Sequence, residues 1–344
     1  MKMREIFGIL PDGKTASLYT ITSGDITAVV TDLGATLVKL LVPGRDGKRA
    51  DVVLGFDSME KYLTCPGFLG AVVGRNCNRI GGAAFTLNGK RVQLQPNDKG
   101  KNSLHSGPDF YKLRLWNVVE ATENAVTFSL ESPDGDQGFP GNAHIRVTYT
   151  LEQGNTLRIT YCGVCDQDTV FNFTNHSYFN LAGHDKTDKA MSQVLTMPAR
   201  FYTPSDAESI PIGEKRNVEG TVMDFRTPKA IGRDIELDEE PMRLQGGYDH
   251  NFEVYANPCA ILSDPESGRT MAVHTDCPGI QFYSGNYLRG DTGKDGVVYS
   301  RRTGVCLETQ FYPNALNYPQ WPQPVVAAGE QYHSETSFVF SVEG

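Results

Sequence analysis

Hydrophobic and polar positions alternate with a period of two along much of the chain. Every second residue of 145–151 is apolar, and the alternation resumes at 157–161 after the turn-forming residues 153–155. This pattern predicts two strands, each with one buried and one polar face, joined as a hairpin. A second hairpin is predicted around Asn88-Gly89, because this dipeptide is the strongest short signal for a two-residue turn.

Helical patterns are scarce by comparison. Residues 58–63 are predicted to form a turn or two of helix, and no alternation of strands and helices indicates a parallel α/β sheet. No internal repeat or linker-like segment interrupts the 344 residues. We therefore predict an all-β fold, a large antiparallel β-sandwich, with residues 1–344 as a single domain. Two fused sandwiches are the alternative, since all-β domains usually reach about 250 residues.

Composition excludes several classes of protein. The formal net charge is −9 and no run of Lys or Arg is present, which argues against a nucleic-acid partner. No stretch approaches the roughly 18 apolar residues of a membrane span, and the apolar run at the N-terminus is too short for a signal peptide. Seven cysteines, an odd number, indicate reduced thiols and hence a cytoplasmic location.

Metal and nucleophile motifs are also missing. The chain has no HExxH, Walker A or GxSxG sequence, which argues against metalloproteases, P-loop proteins and α/β-hydrolases. A CxxC at residues 162–165 has no second pair, so we interpret its cysteines as core or edge residues. We expect neither a metal nor a cofactor.

Residues 174–183 place a histidine among hydroxyl, amide and aromatic groups in a segment that is predicted to be a strand. On a strand, His176 and Tyr178 would share one face. Histidine is the side chain that exchanges protons near neutral pH, so His176 is a candidate acid or base. A core histidine with satisfied hydrogen bonds is the alternative.

The second candidate is Glu308, a carboxylate inside the apolar strand predicted at residues 305–311. Glutamate is almost never buried without a partner. The partner would be either a functional group or a nearby arginine such as Arg301 or Arg302. The residues alone leave both interpretations open.

Three further segments carry polar groups that suit a sugar site. Residues 74–82 contain two arginines and two asparagines beside glycines, residues 102–107 place a histidine before a turn, and residues 246–252 lead an aspartate into a strand. A solvated loop is the alternative for residues 74–82. Together with His176 and Glu308, these side chains are typical of sugar binding and of proton transfer without a cofactor.

The segments together resemble the aldose 1-epimerase, or galactose mutarotase, family from about residue 7 to residue 340. They are residues 74–80, 102–107, 132–141, 174–183, 247–252, 279–288 and 307–319. The resemblance implies the galactose mutarotase-like supersandwich, a large antiparallel β-sandwich. It also implies a cofactor-free isomerase that interconverts the α and β anomers of free aldoses such as galactose and glucose, acting as a monomer or homodimer.

The same resemblance assigns roles by motif. Glu308 would be the general base and His176 the general acid, on opposite sides of a monosaccharide. The residues expected to line the sugar site are Asn78, Arg79, His105, Tyr178, Asp249 and Gln281. Arg79 is preferred over Arg75 because the arginine of the family lies in its Asn-Arg-Ile sequence. The chain departs from the family at residues 76–77 and 108–113, and the second departure affects the loop beside His105.

Other functions use the same residues differently. A hexose-6-phosphate epimerase would need a cluster of cations, for which only the two arginines of residues 74–82 are apparent. A non-catalytic sugar-binding protein could share the fold. A polysaccharide lyase or a glycosidase is a further alternative, because Glu308 and Asp249 could serve as a pair of carboxylates. For the epimerase we hypothesise that His176 starts the reaction protonated, helped by those carboxylates.

Overall fold

The structure, a computed structural model, describes residues 3–343 and consists almost entirely of strands. In chain order the strands are β1 (Arg4–Ile9), β2 (Thr15–Ser23), β3 (Ile26–Thr31), β4 (Thr36–Pro43), β5 (Arg49–Asp51), β6 (Val72–Val73), β7 (Arg79–Ile80), β8 (Ala84–Leu87), β9 (Lys90–Gln93), β10 (Ser103–Leu104), β11 (Asn117–Ala121), β12 (Ala125–Ser132), β13 (Ala143–Glu152), β14 (Thr156–Cys165), β15 (Thr169–Val170), β16 (Thr174–Asn175), β17 (Val194–Thr196), β18 (Phe201–Thr203), β19 (Arg216–Asn217), β20 (Lys229–Ala230), β21 (Asp249–Glu253), β22 (Ala260–Ser263), β23 (Arg269–Thr275), β24 (Gly279–Tyr283), β25 (Asp291–Thr292), β26 (Val298–Tyr299), β27 (Cys306–Gln310), β28 (Val325–Val326) and β29 (Tyr332–Val342).

Helices are short. The α-helices of the described residues are α1 (Met59–Thr64) and α2 (Glu240–Gln245), and single 3-10 turns lie at Gly81–Ala83, Tyr111–Leu113, Asp136–Gly138, Ala190–Ser192, Ile231–Arg233, Lys294–Gly296 and Ala315–Asn317. Helix α1 confirms the helix predicted at residues 58–63. Helix α2 was not predicted, although a proline in its first turn and Gly246 at its end, with φ of 66°, are ordinary start and stop signals.

Three sheets make up most of the molecule, and every strand pair assigned within residues 3–343 is antiparallel. The largest sheet has nine strands in the order β11-β12-β13-β14-β29-β23-β22-β17-β20. Strands β1 to β5 form a second sheet in sequence order, and β19-β18-β21-β24-β27 form a third. The prediction of an antiparallel all-β fold is confirmed.

Both predicted hairpins are present. In the first, Tyr149 of β13 pairs with Ile159 of β14 across a three-residue turn. In the second, β8 and β9 are joined by Asn88 and Gly89, which have φ of 51° and 75°. Two successive positive φ angles are the conformation that a type I′ turn requires, which explains why the dipeptide predicts the hairpin.

The three sheets contribute to one apolar core. Val30 of β3, Val147 of β13 and Phe282 of β24 are fully buried members of it, one from each sheet. Burying apolar surface contributes roughly 25 cal/mol per Å² and supplies most of the stabilisation of such a fold. The third sheet therefore has one face fixed against the core, and its other face is available for polar side chains.

Arg75 connects distant parts of this scaffold. Its guanidinium is completely buried and donates to the carbonyl oxygens of Ser132, Pro140 and Gly141 at 2.6, 2.8 and 2.9 Å. It also donates to the hydroxyl of Thr169 at 3.2 Å. Residues 74–82 are therefore not the solvated loop considered above, because their first arginine ties β12, β15 and the turn between β12 and β13 together.

We predict that Arg75→Ala lowers the free energy of unfolding by about 3 kcal/mol or more, because it removes the guanidinium that donates to the carbonyl groups of Ser132, Pro140 and Gly141. Urea denaturation of the wild type and the variant measures this difference. Arg75→Lys is the matched control and should recover part of the loss. Equal stability of the wild type and Arg75→Ala would contradict the structural role.

Candidate active site

The candidate catalytic side chains lie on the face of the third sheet that points away from the core. Gln281 of β24 pairs with Glu308 of β27, and Asp249 of β21 lies in the neighbouring row, opposite Tyr283. Residues paired across antiparallel strands project to the same side. Leu307, the residue before Glu308 on β27, points to the opposite face and belongs to the core. Because successive residues of a strand point to opposite faces, the strands bury apolar side chains on one face and present polar groups on the other.

His176 reaches this face from the loop after β16. The strand prediction for this segment is wrong beyond Asn175, because the Asn175 side chain accepts a hydrogen bond from the main-chain N–H of Ser177 at 3.1 Å and ends the strand in a turn. The prediction that His176 and Tyr178 share a side is confirmed. Their rings stack with centroids 5.0 Å apart.

His176 and Glu308 form a close pair. The distance from His176 Nε2 to Glu308 Oε2 is 3.7 Å, and the two residues are only 6% and 2% exposed. Glu308 Oε2 has no hydrogen-bond partner among residues 3–343. The alternative ion pairs are absent, because Arg302 contacts Glu236 and Arg301 donates to the carbonyl of Gly246.

Arg79 and two carboxylates form a second polar cluster beside this pair. Its Nε lies 3.1 Å from Asp98 Oδ2, and its Nη1 lies 3.8 Å from Asp249 Oδ2. Gln281 Nε2 donates to Asp249 Oδ1 at 2.7 Å. Arg79 and Gln281 therefore each contact one carboxylate oxygen of Asp249. The Asp249 side chain itself lines the pocket.

His105 is fixed by its neighbour on the adjacent loop. The main-chain N–H of Asn78 donates to His105 Nδ1 at 3.1 Å, so this nitrogen carries no proton. The proton of the neutral ring is then on Nε2. Asn78 and His105 have φ of 59° and 54°, a strained region for residues other than glycine that often marks functional sites.

These side chains enclose a pocket of about 160 Å³. The residues that line it are Phe68, Asn78, Arg79, Leu104, His105, His176, Tyr178, Asp249, Tyr283, Tyr287 and Glu308. All predicted site residues meet here except Gln281, which lies behind Asp249 and contacts it directly. Sequence reasoning missed Tyr283, although it lies two residues after Gln281 on the same face of β24. It did not single out Tyr287, although that residue lies in the segment 279–288 of the family resemblance, and it had no signal for Phe68, which enters from a loop.

Comparison with known proteins identifies the family. The aldose 1-epimerase family model matches residues 17–339. The galactose mutarotase of Sus scrofa is 41% identical over 98% of each chain, and the aldose 1-epimerase of Haemophilus influenzae is 41% identical over 96% of this chain and 97% of the relative. The chain belongs to the aldose 1-epimerase family. The predicted family and its isomerase chemistry are confirmed.

Solved structures of aldose epimerases share the fold. The crystal structure of the GalM/aldose epimerase homologue from C. elegans superposes with a TM-score of 0.89, at 30% identity, over 96% of this chain and 100% of that chain. That of galactose 1-epimerase from Lactobacillus acidophilus gives 0.87, at 28% identity, over 99% and 98%. The predicted mutarotase-like sandwich is thus confirmed. Among residues 3–343, no helix has the length and apolar character to cross a membrane.

Burial governs the protonation of the epimerase pair. It raises the pKa of Glu308 well above its usual value, with a further increase from Asp249 and an opposing effect of Arg79. Burial also lowers the pKa of His176 to about 4. Both shifts favour the uncharged forms, a carboxylic acid and a neutral imidazole. In the protein by itself, this is the reverse of the hypothesis that His176 starts protonated.

The second carboxylate and the second imidazole of the pocket, Asp249 and His105, follow the same rule. Burial raises the pKa of Asp249, and Arg79 and Gln281 oppose this increase. Burial lowers the pKa of His105 well below its usual value, with smaller contributions from the charges of His176 and Arg79. A neutral His105 agrees with the hydrogen bond that its Nδ1 accepts.

One group of potential metal ligands coincides with the epimerase pair. Ligand atoms of His176, Cys306 and Glu308 lie within 4.8 Å of one another, and Cys306 Sγ is 3.5 Å from His176 Nδ1. A metal held by all three would occupy the nitrogen or carboxylate oxygen that acid–base chemistry needs. The geometry therefore suits either a metal or proton transfer, and the family chemistry uses the latter.

We predict that the imidazole of His176 stays neutral down to about pH 4, because protonation would place a charge in a buried position. Titration of ¹⁵N-labelled protein, followed through the ring nitrogens by NMR, measures this pKa. A midpoint near the ordinary value of about 6.5 would contradict the prediction.

Proposed function

We propose that this protein is a mutarotase that interconverts the α and β anomers of free hexoses such as D-galactose and D-glucose. The observation that carries the proposal is the buried pair of His176 and Glu308, 3.7 Å apart at the wall of a small pocket. We propose further that residues 1–344 act as one domain, since the pocket collects residues from Phe68 to Glu308. All seven cysteines are free, which agrees with a cytoplasmic location.

The short distance within the pair changes the expected placement of the sugar. A ring cannot fit between groups 3.7 Å apart, so the acid and base do not flank it on opposite sides as predicted. The reaction does not require that arrangement. The ring oxygen and the C1 hydroxyl oxygen are bonded to the same carbon, so two adjacent side chains can reach both from one edge of the sugar.

Ring opening moves two protons. Glu308, as a carboxylate, takes the proton of the C1 hydroxyl while His176, as an imidazolium, gives its proton to the ring oxygen. The bond between C1 and the ring oxygen breaks, and its electron pair stays on that oxygen while C1 becomes an aldehyde. Each positioned group contributes about 10²–10⁴-fold to such a reaction.

Closure reverses the roles of the pair. After rotation about the C1–C2 bond, His176 takes the proton of the C5 hydroxyl and Glu308 returns its proton to the C1 oxygen. The new ring has the other anomeric configuration. The pair holds one proton throughout, which explains how the reaction runs in both directions without a cofactor.

The pKa shifts determine where that shared proton resides. Without sugar, burial favours the proton on Glu308, which is the distribution that the open-chain aldehyde needs for closure. Opening of a cyclic sugar needs the proton on His176. Glu308 Oε2 lacks a hydrogen-bond partner within the described part of the chain, so a hydroxyl donor to it would stabilise the carboxylate and shift the proton to His176.

The polar wall would orient the hexose. Arg79 and the Nε2–H of His105 would donate to sugar oxygens, and Asp249 would accept from hydroxyl groups. Gln281 would act through Asp249. A pocket with buried polar groups rejects an analogue that lacks a hydroxyl, because those groups are then left unpaired.

A phosphorylated sugar is a poorer candidate for the substrate. Arg75, one of the two cations considered for a phosphate, is buried and hydrogen-bonded elsewhere. Arg79 already faces Asp98 and Asp249. The pocket wall is therefore not a cluster of unpaired cations, and its carboxylates would repel a phosphate group.

Polarimetry on freshly dissolved α-D-glucose and α-D-galactose tests the proposal directly. A mutarotase accelerates the approach of the optical rotation to its equilibrium value. A sugar-binding protein without activity leaves the spontaneous rate unchanged. A glycosidase instead releases reducing ends from an oligosaccharide, so a parallel reducing-end assay separates that outcome.

We predict that Glu308→Gln lowers the mutarotation rate by about 10²-fold or more, because the variant keeps the shape but loses the base. Isothermal titration should show that galactose still binds. Glu253→Gln is a matched control, since Glu253 lies on the same sheet but pairs with Lys215 outside the pocket. Near-normal turnover by Glu308→Gln would overturn the assignment.

We predict a broad pH profile of kcat/KM for the wild type. Below about pH 4 the pair gains a second proton, so Glu308 can no longer act as a base and the rate falls. The rate falls again at high pH, once the pair loses its single proton from the raised pKa of Glu308. Rates from about pH 3 to 10 test this, and an acidic decline centred near 6.5 would contradict it.

A further inference from the structure

Lys112 lies behind the pocket and contacts none of the sugar-site polar groups. It is 7% exposed and lies in the 3-10 turn Tyr111–Leu113. Its Nζ donates to the carbonyl oxygens of Cys65 and Gly67, both at 2.7 Å. The same nitrogen lies 4.9 Å from the centre of the Phe68 ring, a cation–π distance.

The Phe68 ring contacts both imidazole rings of the pocket. Its ring centre lies 4.6 Å from that of His105 and 5.8 Å from that of His176, and it is nearly parallel to His176 with an interplanar angle of 21°. Lys112 binds the carbonyl groups of Cys65 and Gly67, which lie in the segment that leads into Phe68, and it also contacts the Phe68 ring. The lysine thereby fixes the position of the Phe68 ring in the pocket.

We propose that Lys112 is a positioning residue that fixes Phe68 against His105 and His176 and keeps a positive charge behind both rings. This inference rests on the proposed mutarotase function. Lys112 belongs to residues 108–113, where the sequence departs from the family pattern near His105.

The charge of Lys112 has a defined effect on the acid–base pair. It lowers the pKa of His176 and that of His105, after the larger effect of burial. The other titratable or charged groups that face His176 along the pocket are His105, Tyr178, Tyr283, Tyr287, Cys306, Glu308, Asp249 and Arg79. Replacing Lys112 changes the identity of none of these groups and withdraws one cation.

The test compares Lys112→Met, Lys112→Arg, Phe68→Leu and the double variant Lys112→Met/Phe68→Leu. We expect Lys112→Met to lower kcat/KM by about 10–100-fold, mainly through kcat, because a misplaced Phe68 ring disturbs the geometry of the reacting groups. The acidic limb of its pH profile, which is the fall in rate at low pH, should move to higher pH. The reason is that the pKa of His176 rises once the charge of Lys112 is removed. Lys112→Arg should restore the limb. The double variant should be no slower than Phe68→Leu if Lys112 acts through this ring.

Lys294→Met is the matched control. Lys294 is also fully buried and donates to two carbonyl groups, those of Val38 and Val53, but it does not line the pocket. Its replacement should lower stability without moving the pH limb. Thermal unfolding of every variant identifies loss of fold, in which case Lys112→Arg and Phe68→Leu still decide the question.

Three results would overturn the inference: a wild-type rate in Lys112→Met, an unmoved acidic limb, or losses from Lys112→Met and Phe68→Leu that multiply in the double variant. NMR titration of His176 provides a readout that does not depend on activity. If the wild type lacks mutarotase activity, the proposed function fails. The pKa of His176 in Lys112→Met then still shows whether the lysine controls this ring.

Discussion

The removal of Glu308 and His176 from water is the constraint on which the rest of the site depends. A buried charge is costly unless it is paired, and here two ionisable groups share one pocket wall. Burial raises the pKa of Glu308 and lowers that of His176, so the shared proton favours Glu308 in the protein without sugar. Each group is therefore sensitive to any molecule that enters the pocket, because a new hydrogen bond changes the balance between its charged and uncharged forms.

The third sheet supplies the rigid support for this pair. One face packs Phe282 and Leu307 into the core, and the other presents Glu308 and Asp249. A carboxylate on a strand fixed in this way cannot relax toward water. Gln281 and Arg79 compensate part of the cost for Asp249. Glu308 Oε2 is left without a hydrogen-bond partner among the described residues, as expected of a group that must meet a substrate.

Loops complete the site and carry its strain. Asn78 and His105 adopt positive φ angles and hold each other through a main-chain hydrogen bond to the imidazole. This conformation aims His105 at the pocket with a defined tautomer. Phe68 closes the same side under the control of Lys112. The sheet therefore fixes Glu308, and the packed loops fix His176 and its surroundings.

The sequence by itself determined the antiparallel all-β class, both hairpins and the chemistry-bearing residues, because a period of two and an Asn-Gly turn are local properties. The family resemblance selected His176, Glu308 and their polar neighbours among many candidates. Only the tertiary structure decided that Gln281 contacts Asp249, that Arg75 is structural, and that His176 and Glu308 lie side by side. It also brought in Phe68 and Lys112. Those features depend on which loops meet over the sheet and on how completely they exclude water, and neither property is contained in a local pattern of residues.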